Sequence, residues 1–180
     1  RRAVIRRLPA VETLGSTTVI CSDKTGTLTE NQMTVREILA GGQHFQVSGG
    51  GYAPHGEISR DGQPTRLEGP LREILLAGVL CNDATLDHRE GHWEITGDPT
   101  EAALLVAARK LGLEEGVARA LLPRVQELPF DSSCQFMATR HAGEAGVVVF
   151  VKGAVERLLP RCTHQLNAAG DPTPVDPEVV

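Results

Sequence analysis

The chain has 180 residues, a formal net charge of −5 and 41% hydrophobic residues. A chain of this length can bury roughly 70% of its unfolded surface, so a proper core is expected. The acidic balance gives no reason for a nucleic-acid partner, no apolar run approaches the roughly 20 residues of a membrane span, and nothing reads as a signal peptide. Aromatics are scarce: Phe45, Phe130, Phe136, Phe150, Tyr52 and Trp93 are the whole set. Small aliphatic side chains must therefore fill the core. Cys21, Cys81, Cys134 and Cys162 show no CxxC spacing and read as reduced thiols.

Residues 1–14 read as a helix, with Val4, Ile5 and Leu8 among arginines and a break at Pro9. The cluster of Arg1, Arg2, Arg6 and Arg7 is either a solvated helix face or the basic segment just beyond a membrane span. Residues 17–22 read as a short buried strand. Thr29 and Gln32 have capping-box spacing, which predicts a helical turn after them. Residues 33–40 and 43–48 form a predicted hairpin around Gly41-Gly42. Loops follow at residues 49–51 and 53–56. Apolar residues at helical spacing predict a helix over 68–82. Residues 92–96 read as a strand. A second helix starts at Asp98-Pro99, with Asp as N-cap and Pro at the first position, and is buried from 102 to 108. A further helix covers 114–121. Strands are expected at 124–130, 134–141 and 146–152, then a helix from 154 to about 159. The Pro-rich tail reads as loop.

This order suggests a mixed α+β / α/β chain. An antiparallel sheet flanked by helices is inserted after the first strand of a doubly wound domain. The expected division is 1–34 for the start of the first domain and 35–180 for the insert, which reads as stopping before its last elements.

The sharpest signal is Asp23-Lys24-Thr25-Gly26-Thr27-Leu28-Thr29. A carboxylate follows directly on the strand Thr18-Val19-Ile20-Cys21, where ligands of open α/β sheets bind. A Gly turn and a run of hydroxyls come next. Such a site suits a phosphate and a divalent cation. There is no G-x-x-x-x-G-K-[ST] sequence, so a P-loop is excluded. The six histidines lack metal-ligand spacing and read as surface or loop residues.

Those seven residues resemble the phosphorylation motif of the P-type cation-transporting ATPases. Three later segments resemble the same family's nucleotide-binding domain: Cys81-Asn82-Asp83-Ala84 with Gly97-Asp98-Pro99-Thr100-Glu101, then Glu127-Leu128-Pro129-Phe130-Asp131-Ser132, then Phe150-Val151-Lys152-Gly153-Ala154. Glu-Asn-Gln-Met-Thr-Val at residues 30–35 is most similar to the type II, calcium-pump-like branch. The resemblance implies a haloacid-dehalogenase-like phosphorylation domain for the opening strand. It implies ATP as substrate, Mg²⁺ as cofactor, and Ca²⁺ as the transported cation. The chain would then be cytoplasmic, in an integral membrane protein whose actuator and membrane domains lie elsewhere on the polypeptide.

The resemblance also implies residue roles. Asp23 would be the nucleophile that accepts the γ-phosphate. Mg²⁺ would be held by the Asp23 carboxylate and the Thr25 carbonyl, and the Thr25 hydroxyl would meet phosphate oxygens. Related phosphatases carry a second Asp where Thr25 stands, and it drives fast hydrolysis. Thr25 therefore implies a phosphoenzyme that persists. Glu101 matches a residue at the adenine edge, although its spacing from Asp98 also fits a capping box. Phe130 matches the ring that stacks on adenine; the alternative is a core phenylalanine. Lys152 matches the pocket lysine, and Gly153 after it permits a close backbone approach. Gln135 stands where a lysine is frequent, which implies weaker ATP binding or compensation by Lys152 or residues beyond the chain. Two other functions stay open: a nucleotide-binding module with no catalysis of its own, and a stand-alone phosphatase, which Thr25 opposes.

Overall fold

The computed structural model describes residues 16–19, 21–29, 32–144 and 146–175. The chain divides into two units, Arg1–Asn31 and Gln32–Val180. The helix expected over residues 1–14 lies outside the described residues. In the first unit the strand expected at 17–22 does not form among the described residues: 17–19 and 21–22 are exposed and carry no strand. A strand is held by its neighbours' hydrogen bonds, and these residues belong to none of the described sheets. Lys24–Leu28 make one π-helical turn, entered from an extended Asp23 (φ −67°, ψ 144°). Thr29 closes this turn from behind. Its N–H and hydroxyl both donate to the Lys24 carbonyl, at 3.1 and 3.3 Å, and the hydroxyl accepts the Gly26 N–H. Residues 32–36 carry no helix, and residues 30 and 31 of the turn expected after Thr29 lie outside the described residues.

The second unit begins with a four-stranded antiparallel sheet, β1 (Glu37–Ala40), β2 (Gln43–Val47), β3 (Ile58–Arg60) and β4 (Gln63–Pro64). Helix α1 (Gly69–Leu80) follows, then the hairpin β5 (Thr85–Arg89) and β6 (His92–Thr96), α2 (Pro99–Arg109) and α3 (Glu115–Leu121). A three-stranded antiparallel sheet comes next, β7 (Arg124–Asp131), β8 (Phe136–Gly143) and β9 (Gly146–Gly153). It leads to α4 (Val155–Leu158), a 3₁₀ turn at Leu159–Arg161, and the ribbon β10 (His164–Leu166) and β11 (Pro172–Pro174). The β3–β4 and β10–β11 pairings and strand β5 are additions to the sequence reading. Asp61-Gly62 and Glu90-Gly91 join β3–β4 and β5–β6 with both residues at positive φ, between 50° and 81°. That is the two-residue turn that Asp-Gly and similar pairs favour. In the tail, the Asn167 side chain accepts the Ala169 and Asp171 amides and so folds β10 back onto β11. Pro172 and Pro174 are tolerated there because the ribbon is all edge.

The strands alternate as period two requires, sending Ile38, Ala40, Phe45 and Val47 inward. Ile58, Leu80 and Leu105 are wholly buried among α1, α2 and the first sheet. On β8, Met137, Thr139 and His141 face this core, opposite Lys152, Phe150 and Val148 of β9. The other face of that sheet carries exposed Val147, Val149 and Val151. His141 departs from the surface reading of the histidines. It is 1% exposed, donates from Nδ1 to the Leu122 carbonyl at 2.7 Å, and meets the Thr139 hydroxyl at 2.9 Å. Cys81 is buried with its thiol pushed up by that burial, while Cys21, Cys134 and Cys162 are exposed; all four are free.

The junction after α1 is fixed by Asn82, which has no exposed surface. Its amide nitrogen donates to the Gly78 and Glu101 carbonyls and its oxygen accepts the Ala84 amide, each at 2.9 Å. Removing this side chain takes the partner from the Gly78 carbonyl at the end of α1 and from the Ala84 amide, and cuts the tie to the first turn of α2. Asn82→Ala is expected to destabilise the chain by about 3 kcal/mol, read as a lowered urea midpoint. An unchanged midpoint would contradict this account of the junction.

Candidate functional site

A cleft of about 790 Å³ between the first turn of α2 and the ends of β7, β8 and β9 gathers several of the expected residues. Its lining includes Glu101, Phe130, Gln135, Lys152 and Gly153. Asp23 and Thr25 belong to the other unit. Leu104 and Met137 add an apolar floor that the sequence reading did not single out.

Asp98 caps α2, accepting the Thr100 and Glu101 amides at 2.7 and 3.2 Å. Glu101 does not return the favour, so the capping box is half made. Its carboxylate instead accepts the Asp83 amide on Oε2 at 3.0 Å and pairs through Oε1 with Lys152 Nζ at 2.7 Å. Both partners are mostly sheltered, with side-chain exposures of 15% and 25%. Burial pulls the Asp98 carboxyl upward, but the Glu101 and Thr100 amides, the Thr100 hydroxyl and the Lys152 charge outweigh it. Its pKa lies below the usual aspartate value.

Phe130 is 61% exposed and is no core residue. The cause is local. Between Leu128 and Asp131 the β7–β8 register slips by one residue. Pro129 has no N–H to give the ladder, and a bulge there is the regular solution. Bulges re-aim side chains, and this one leaves Phe130 lining the cleft. The turn beyond is tied by Asp131. Its carboxylate takes the Ser133 hydroxyl and the Ser133 and Cys134 amides, which lower its pKa. Gln135 ends the turn at φ 60°.

Gly153 has a different reason from the one its sequence suggested. It pairs with Phe136, and a Cβ on it would lie 2.4 Å from both the Gln135 carbonyl and the Phe136 Cβ. The close approach it permits is to the neighbouring strand. Lys152 beside it reaches α2 because the β8–β9 register puts it opposite Met137 on the core-facing side.

The Cys81–Ala84 segment proves to be the cleft's support. Arg124 donates to the Leu80 and Asn82 carbonyls at 3.2 and 2.7 Å, and to the Asp83 and Glu127 carboxylates. Arg119 donates to the Asn82 and Ala84 carbonyls, each at 3.1 Å. Neither arginine was picked out from sequence, since nothing local marks a residue that serves a distant helix end. At the far end of α2, Arg109 grips Glu115 through two bonds at 2.6 and 2.9 Å. Burial raises the Glu115 pKa, but those bonds prevail and hold it below the usual value.

Similarity to known proteins agrees with this geometry. Residues 70–180 match the family described as P-type ATPase, cytoplasmic domain N. The chain belongs to the P-type ATPases. It is 50% identical to a cation-transporting ATPase, pma1, of Synechocystis over 98% of its own length and 20% of that protein's. It is 39% identical to a calcium-transporting ATPase of Bacillus subtilis, over 91% of the chain and 19% of the relative. It is 41% identical to calcium-transporting ATPase type 2C member 1 of Mus musculus, over 91% and 18%. The chain thus spans about a fifth of the length of the curated relatives it matches. Among the described residues, no helix is long and apolar enough to cross a membrane.

Asp98 and Glu115 set an acid limit on stability. Both have folded pKa values below their ordinary values of 3.8 and 4.5. Their contribution is therefore complete above that range and lost as pH falls through the lowered folded values. Asp98→Ala is expected to cost about 1 kcal/mol at neutral pH, and the gap to wild type should shrink in strong acid. Urea midpoints measured across pH check this; a gap independent of pH would contradict it.

Proposed function

We propose that this chain is the ATP-binding and phosphorylation-site portion of an ATP-driven cation pump. The observation that carries the reading is Phe130: a large exposed ring at a bulge, lining the same cleft as the Glu101–Lys152 pair. Adenine stacks on the ring, an interaction of about 1–3 kcal/mol in nucleic-acid binders. Glu101 has acceptor capacity beyond its two present bonds and receives the exocyclic amine. Lys152 stays paired with Glu101 and holds its carboxylate in place at the wall of the cleft. Gly153 keeps β8 and β9 close enough to hold these groups.

Asp23 is the acceptor of the γ-phosphate in the complete polypeptide. A carboxylate oxygen forms a bond to the γ-phosphorus while the bond to the β-bridging oxygen breaks and ADP leaves. Its side chain makes no capping bond to the turn it precedes, so it is unspent. A hard, exposed carboxylate of this kind fits Mg²⁺, which uses one or two carboxylates together with phosphates and waters. Asp23 and the Thr25 carbonyl would hold the ion, which when bound neutralises charge on the transferring phosphoryl group. The Thr25 hydroxyl takes a phosphate oxygen. With threonine rather than a second aspartate there, no general base hydrolyses the aspartyl phosphate, and it lasts through a slow conformational change.

The relatives named as calcium-transporting support Ca²⁺ as the cation, moved by membrane helices outside this chain. The portion described here lies on the cytoplasmic side of that integral membrane protein. By itself it acts as a nucleotide-binding module with little or no turnover.

Three outcomes are expected. Phe130→Ala weakens ATP and adenosine alike by about tenfold or more in a titration. The chain incubated with labelled ATP and Mg²⁺ releases little phosphate; substantial steady release would refute the module reading. In the complete pump, Asp23→Asn abolishes the acid-stable phosphoenzyme.

A further inference from the structure

We propose that Arg157, held against Gln135, supplies the positive charge that receives the nucleotide's phosphate chain in this protein. This rests on the ATP reading of the cleft and adds the residue that does its electrostatic work. Gln135 lines the cleft but carries no charge. Its Oε1 accepts a hydrogen bond from Arg157 Nε at 2.8 Å. With the amide oxygen taken, the amide NH₂ is the end of Gln135 left to donate to a ligand.

Arg157 borders the cleft through Gln135 and, unlike Lys152, has its charge to spare for an anionic ligand. Lys152 is already neutralised by Glu101 at 2.7 Å. Arg157 is exposed and makes no ion pair among the described residues. A guanidinium has five N–H donors, and the Gln135 bond uses one. The two terminal nitrogens remain for a bidentate grip on phosphate oxygens.

The position is also fixed. The Ala154 amide donates to the Gln135 carbonyl at 3.0 Å, which locks the start of the turn to the Gln135 backbone. The Arg157 amide donates in turn to the Ala154 carbonyl at 3.0 Å. Arg161 clamps the far side. Its Nη1 donates to the Arg157 carbonyl at 2.5 Å, and its guanidinium stands 5.3 Å from the centre of the Phe136 ring. A pre-oriented cation loses less freedom on binding than a mobile one.

The test titrates the chain with adenosine and with ATP, using wild type, Arg157→Gln, Arg157→Lys and the double variant Gln135→Lys/Arg157→Gln. Arg157→Gln should lower ATP affinity by about tenfold or more while leaving adenosine affinity unchanged. Arg157→Lys should recover part of the loss, and the double variant should recover most of it by moving the charge one residue inward. An unchanged ATP-to-adenosine ratio in Arg157→Gln overturns the proposal. So does an equal loss for both ligands, which would mark Arg157 as a structural residue. A wild-type chain that binds neither ligand overturns the ATP reading itself.

Discussion

Everything around the cleft depends on how the C-terminal end of α1 is satisfied. A helix end leaves carbonyls with no intrahelical partner, and burying them bare is costly. Here the Asn82 amide takes the Gly78 carbonyl, and Arg124 takes the Leu80 carbonyl from the start of β7. Arg119 of α3 and Arg124 then share the Asn82 carbonyl. The same few bonds therefore join α1, α3 and β7 at one point. Asn82 also ties that point to the first turn of α2 through the Glu101 carbonyl. Among the described residues, no buried side-chain nitrogen or oxygen lacks a partner. Partly satisfied polar networks are weak points, and this one is closed.

The consequence for the site is positional. Asp83 follows Asn82 directly, and its amide meets the Glu101 carboxylate at 3.0 Å. A residue that caps nothing and faces a cleft is thus held by the backbone of a distant junction. Lys152 adds the third contact because the register of β8 and β9 brings it to the core-facing side. That register tolerates no Cβ at residue 153. Phe130 is aimed by a separate device, the bulge at Pro129, on the other edge of the same sheet. Two independent pieces of strand geometry, with one helix junction, build the site.

Legibility followed locality. Helices with a periodic apolar stripe and a local cap were readable, so α1, α2 and α3 fall within about two residues of expectation. Hairpins with a glycine pair were readable at Gly41-Gly42 and could have been at Asp61-Gly62. The opening strand was not, since a strand's existence depends on its neighbours and periodicity says nothing of them. His141 was misjudged because a histidine's burial is decided by what accepts its N–H, here the Leu122 carbonyl 19 residues away in sequence. Glu101 shows the limit most clearly. Its spacing from Asp98 fits a capping box, yet Asp83 and Lys152 outcompete the Asp98 amide for its carboxylate. Both lie far from it in sequence. Arg119, Arg124 and Arg157 carried no local signal at all, because each acts on a partner from another element.

The polar groups of the cleft are occupied with one another. Glu101 holds Lys152, and Gln135 holds Arg157. A ligand that merely replaced these contacts would gain little, since each new bond is offset by one broken. The unspent resources are the Phe130 face, the apolar floor of Leu104 and Met137 and, beside the lining on Gln135, the guanidinium edge of Arg157. A flat aromatic heterocycle joined to a multiply charged anion draws on all of them at once. A phosphate alone would meet the charge and forgo the ring, and a nucleoside alone would do the reverse. A ligand with both parts uses the ring and the charge together, and that is what favours the proposed nucleotide over a generic anion or an apolar ligand.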